Sequence, residues 1–143
     1  MIRPQINQAL VPAPSRIALP WLKRLLRAIE KRLRLRGIWT LSIAFVDHRT
    51  MRRLNLTYRD RGRVTDILSF AGVGDGQSLG ELVLAWPYVR DEAKRNKKSL
   101  KEELALLLIH GVLHLVGYDH ETARDASKML PLQEKILQDF LKR

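Results

Sequence analysis

Between positions 104 and 116 the chain reads LALLLIHGVLHLV, apolar on nearly every side of a helix. A helix of that kind has no face to give to water, so it must sit in the middle of the fold with other elements packed around it. Its start is marked upstream. Ser99-Leu-Lys-Glu102 fits a capping box, in which the Ser99 hydroxyl accepts from backbone amides and Glu102 reaches back. The remaining segments must supply the layers that cover this helix.

They alternate between helix and strand patterns. Residues 1–20 hold four prolines with Ile2, Ile6, Leu10 and Val11, an edge strand followed by a loop. Trp21, Leu22, Leu25, Leu26, Ile29 and Leu33 recur at helical spacing, with Pro20 near the start and Gly37 beyond the end. The opposite face carries Lys23, Arg24, Arg27, Lys31 and Arg34, and reads as a solvated cationic face ahead of a dedicated binding stripe. Residues 39–46 alternate as a strand. Asp47 is placed to cap a short helix through Met51 and Leu54. Residues 55–64 read as a polar, basic loop, 66–70 and 80–85 as strands, and 87–97 as a helix. Residues 123–141 form a last amphipathic helix, in which Pro131 predicts a kink or a restart. With 143 residues this is one domain. The expected fold is an α/β sandwich: a small mixed sheet of about four strands against about five helices, with the histidine-bearing helix buried at its centre.

That helix also carries chemistry. Three of the four histidines fall in HGVLHLVGYDH: His110, His114 and His120. Four residues of α-helix advance a side chain by about 400°, so His110 and His114 share one face, one turn apart. Gly117 can end the helix and let the chain turn, bringing His120 back as a third ligand. Three nitrogen ligands leave a coordination position open, which suits a catalytic zinc. Imidazole also suits nickel, copper and iron. Cysteine is absent from the chain, which excludes thiolate metal sites and thiol nucleophiles. In zincin proteases the residue after the first histidine is the glutamate base; here it is Gly111, which disfavours a peptidase. Hydrolysis needs no adjacent carboxylate, because zinc brings the pKa of a coordinated water to about 7. Asp119 and Glu121 flank His120, and either could orient a ligand or accept a proton; Glu121 could equally open the last helix.

The net charge of +11 draws polyanions, chiefly nucleic acid or an anionic membrane surface. Arg59, Arg61 and Arg63 stand together near a strand start, and arginine forks hold phosphate in two places at once. The first twenty residues show no secretory pattern, and no apolar run approaches the roughly eighteen residues of a membrane span. A cytoplasmic protein is expected.

HGVLHLVGYDH (110–120), NLTYR (55–59), TDILSF (65–70) and LGELVLA (79–85) together resemble the YbeY family of bacterial endoribonucleases, also described as rRNA maturation factors. These blocks cover about half of the chain, in matching order. The resemblance implies one zinc ion on His110, His114 and His120, and a functional arginine at Arg59, near the metal and suited to phosphate. It implies metal-dependent cleavage of single-stranded RNA, linked to 3′-end maturation of 16S rRNA and to ribosome quality control. The implied partners are rRNA and the ribosome or its proteins, with no membrane. The family usually has Pro where this chain has Ala71, and often Asp where it has Glu81. Two rival readings are an assembly factor whose zinc is structural, and a metal hydrolase of another substrate.

Overall fold

The computed structural model describes residues 1–59, 67–72, 76–119 and 122–142, with Tyr58 and Arg59 described by backbone alone. The described strands are β1 (Ile2–Asn7), β2 (Trp39–Val46), β3 (Ile67–Ala71) and β4 (Ser78–Ala85). The helices are α1 (Leu19–Leu33), α2 (His48–Arg59), α3 (Trp86–Arg95), α4 (Leu100–Leu115) and α5 (Ala123–Leu141). The strands form one sheet in the order β1-β2-β4-β3. β1 runs parallel to β2 and β2 parallel to β4, while β3 closes antiparallel on β4. The α/β sandwich with a small mixed sheet is the fold the sequence leads one to expect.

Alternation decides which side of the sheet is covered. Along β2, Leu41, Ile43 and Phe45 are buried while their neighbours are partly open. These three share a core with Leu82 and Leu84 of β4, with Leu22, Leu25, Leu26 and Ile29 of α1, and with the apolar run of α4. Each fully buried leucine or isoleucine there contributes roughly 1.5–3 kcal/mol. On the other face, among the described residues, Met51 and Leu54 of α2 pack with Leu68, Val83 and Ala85, and Val46 of β2 joins them. β4 is therefore buried on both faces, which is why it reads Leu-Val-Leu-Ala without alternation.

β1 lies at the sheet edge and includes Pro4. The Ile2 amide donates outward to the Glu30 carboxylate of α1. Asp47 caps α2 as expected, its carboxylate accepting from the Thr50 amide at 2.8 Å. That bond holds the Asp47 carboxyl below its ordinary pKa.

One expectation is corrected and another narrowed. Residues 55–59 are helical, not loop: α2 continues to Arg59. Asn55 is 1% exposed, a polar side chain on the inward face of the helix, and it hides the apolar stripe that Met51 and Leu54 begin. The rest of that expected loop, residues 60–64, lies outside the described residues. Of the kink or restart expected at Pro131, the restart is ruled out: α5 runs through it as one helix. Pro131 is exposed, so the Ser127 carbonyl it leaves without an amide can turn to water. Buried Met129, Ile136 and Phe140 anchor the helix on both sides of it. Among the described residues no helix is long and apolar enough to cross a membrane.

Candidate metal centre

α4 starts where Ser99 accepts from the Glu102 amide at 3.1 Å, and nine of its residues are buried. It lies directly on the β3–β4 side of the sheet. A Cβ at Gly111 would fall 2.7 Å from the Leu82 Cδ2 and 2.9 Å from the Ile67 Cδ1, so the approach of helix to sheet depends on that position having no side chain. The residue following His110 thus faces the sheet. His110 and His114 lie on the adjoining flank of the helix, half-buried, where His110 meets Gln133 of α5.

The two imidazoles converge as the spacing predicts. Their Nε2 atoms are 3.1 Å apart and their ring planes cross at 73°. With zinc–nitrogen bonds of about 2.0–2.1 Å, two ligands of a tetrahedral ion stand about 3.3 Å apart, so this pair fits one ion with a shift of tenths of an ångström. Without a metal, the same approach is met by an Nε2–H···Nε2 hydrogen bond. The Nδ1 of His110 is 2.7 Å from the Gln133 Oε1 on α5. An oxygen there accepts, which puts the proton on Nδ1 and aims the Nε2 lone pair at the shared site. Gln133 does what an outer ligand partner does, and sequence reasoning missed it. Its signal was available: a polar residue on the inward side of α5, between buried Met129 and Ile136.

The helix ends as expected. Gly117 has φ +106°, its amide donates to the His114 carbonyl at 3.1 Å, and the Tyr118 amide returns to Leu113 at 2.9 Å. Asp119 follows, half-buried. Thr122 caps α5 by accepting from the Asp125 amide at 3.0 Å. His120 and Glu121 lie outside the described residues, as do Arg61 and Arg63. Among the described residues no group of three metal-binding side chains is assembled. Arg59 is the last residue of α2, placed by its backbone only. In sequence, His110, His114, Gly117 and His120 keep the metzincin spacing H-x-x-x-H-x-x-G-x-x-H, with Gly111 in place of its glutamate.

Comparison with known proteins gives a consistent picture. A family model described as Endoribonuclease YbeY matches residues 7–141. A protein of Bdellovibrio bacteriovorus named Endoribonuclease YbeY is 31% identical over 142 residues, covering 96% of this chain and 94% of that protein. One of the same name from Bacillus thuringiensis is 38% identical over 112 residues, covering 70% of this chain and 72% of its own length. A Myxococcus xanthus protein of that name is 40% identical over 117 residues, but this chain spans only 40% of its length. The solution structure of TM1509 from Thermotoga maritima superposes with a TM-score of 0.66 at 26% identity, covering 98% of this chain and 89% of that one.

Proposed function

Since the chain belongs to the YbeY endoribonuclease family, we propose that it is a zinc-dependent endoribonuclease that cleaves single-stranded RNA, acting in the cytoplasm on the 3′ end of 16S rRNA and in ribosome quality control. The observation that carries the metal part is the convergence of the His110 and His114 Nε2 atoms at 3.1 Å, with Gln133 holding the His110 ring. His110, His114 and His120 would hold the ion. Bound there, zinc would supply Lewis-acid polarisation of a phosphate oxygen or of the attacking group. Gln133 keeps the His110 proton on Nδ1 and the ring in place. Arg59 binds the scissile phosphate through its planar fork and offsets the charge that develops on it. The +11 net charge gathers RNA through its backbone, largely without regard to sequence.

The test is metal analysis joined to an RNA cleavage assay. Arg59→Glu is expected to lower cleavage by about 10²–10³, the cost of losing one charge-stabilising donor, while zinc content stays at the wild-type level. Unchanged cleavage would remove Arg59 from the mechanism. Product ends identify the nucleophile: a 2′,3′-cyclic phosphate with a 5′-hydroxyl marks the RNA's own 2′-hydroxyl, and a 5′-phosphate with a 3′-hydroxyl marks water. Gln133→Ala is expected to weaken zinc binding by about 10–100-fold, measured by competition with a chelator. Gln133→Glu, which keeps an acceptor for the His110 Nδ1–H, should restore most of it. Equal affinity in all three proteins would show that the His110–Gln133 hydrogen bond has no part in holding a metal.

A further inference from the structure

Helix α1 carries a charge that the histidine site leaves unexplained. Residues 19–36 hold seven lysines and arginines against one carboxylate, Glu30, and Glu30 accepts from the Ile2 amide. Where α1 meets the end of α5 there is a groove of about 740 Å³, lined by Arg24, Arg27, Lys31, Arg34 and Lys142 with Phe140 among them. The single carboxylate in the lining, Asp139, is bridged by Arg32 at 2.6 Å. The Arg24 guanidinium lies 4.6 Å over the Phe140 ring, and that ring meets Trp21 edge-on at 5.5 Å. A planar cation is thus held in place before any ligand arrives, which favours bidentate contact with phosphate. The helix dipole accounts for Lys31 and Arg32 in the last turn of α1. It does not account for Arg24 and Arg27 earlier in that helix, or for Lys142 on another one.

The groove is separate from the histidines. Gln133 and Asp139 are six residues apart on α5, which turns the helix by about 120° and advances it by about 9 Å. Gln133 meets His110 of α4, and Asp139 meets Arg32 of α1. α5 therefore stands between the two sites.

We propose that the groove between α1 and the end of α5 is a second RNA-binding surface, which holds the phosphodiester backbone of RNA too long to be held at the histidine site alone. This rests on RNA being the substrate. The test therefore reads binding rather than cleavage, so that the two ideas fail separately. The full chain is titrated with single-stranded RNAs of about 30 and about 6 nucleotides over a range of salt. The double variant Arg27→Glu/Lys31→Glu is compared with Lys98→Glu/Lys101→Glu, an equal charge change on exposed residues away from the groove.

The groove variant is expected to bind the long RNA about tenfold or more weakly, with a salt slope lower by about 0.7 for each phosphate it no longer neutralises. The control variant should weaken binding by no more than about threefold, the share of the overall field. The short RNA should respond equally little to either variant. Equal weakening in the two doubles would overturn the proposal, as would unchanged binding in the groove double. It would also be overturned if the groove double lost binding to phosphatidylglycerol vesicles and kept binding to RNA. Should the charge reversal unfold the protein, Arg27→Gln/Lys31→Gln is read the same way. A wild-type protein that binds long RNA through the groove without cutting it would sink the nuclease reading and leave this one standing.

Discussion

Gly111→Glu, which writes the zincin motif HExxH into this chain, is expected to destabilise the protein severely and to yield no peptidase. A Cβ at that position already falls 2.7 Å from Leu82 and 2.9 Å from Ile67, both buried core residues. A glutamate side chain would have to enter the layer between α4 and the sheet. Overpacking alone costs about 1–3 kcal/mol, and an unpaired polar group in such a place adds about 1–3 more, or several if it stays charged. Whole domains of this size are stable by only about 5–15 kcal/mol. The urea midpoint should fall by most of its value, and casein should remain intact. Gly111→Ala is milder. It gains about 1 kcal/mol of helix propensity and meets two flexible side-chain ends, so its net cost is about 0–2 kcal/mol. A Gly111→Glu protein with the wild-type midpoint would mean that α4 stands farther from β3 and β4 than described.

The second large effect is expected from His114→Ala. His114 is half-buried at the end of α4, so its removal should cost at most about 1 kcal/mol of folding stability. The proposed metal site would lose a ligand. RNA cleavage should drop by about 10³ or more, the equivalent of several kcal/mol of transition-state stabilisation, and zinc should no longer co-purify. The contrast between the two measurements carries the weight. If the urea midpoint collapses along with the zinc, the ion is structural and the assembly-factor reading gains. If zinc and cleavage both persist, His114 is no ligand.

How much the sequence makes legible depends on how local each signal is. α4 is readable because its cap, its apolar run and its terminating Gly117 lie within one continuous segment. The His110–His114 pair can be placed because the helix alone sets that geometry. Gln133 shows only its inward position on α5; its pairing with His110 does not show, since that hydrogen bond spans 23 residues and depends on how α5 packs on α4. The parallel pairing of β1 with β2 is non-local in the same way. The end of α2 departs from expectation because a buried asparagine breaks the apolar pattern that marks a helix's inner face. Pro131 is the reverse case, a helix breaker that the helix runs through. Its cost to the backbone is real, but tertiary packing at Met129 and Ile136 outweighs it.

The first strand settles how this molecule behaves beside its own copies. Alternate amides of β1 point away from β2, at Ile2, Pro4 and Ile6. The Ile2 amide donates to Glu30, and Pro4 has none to offer. A neighbour trying to extend the sheet at this edge would meet one donor position where a regular strand presents three. Arg3, Gln5 and Asn7, exposed between them, add a hydrated and partly charged flank. The edge is thus a poor template for intermolecular pairing, which guards a strongly basic protein against β-aggregation when bound polyanions crowd its copies together.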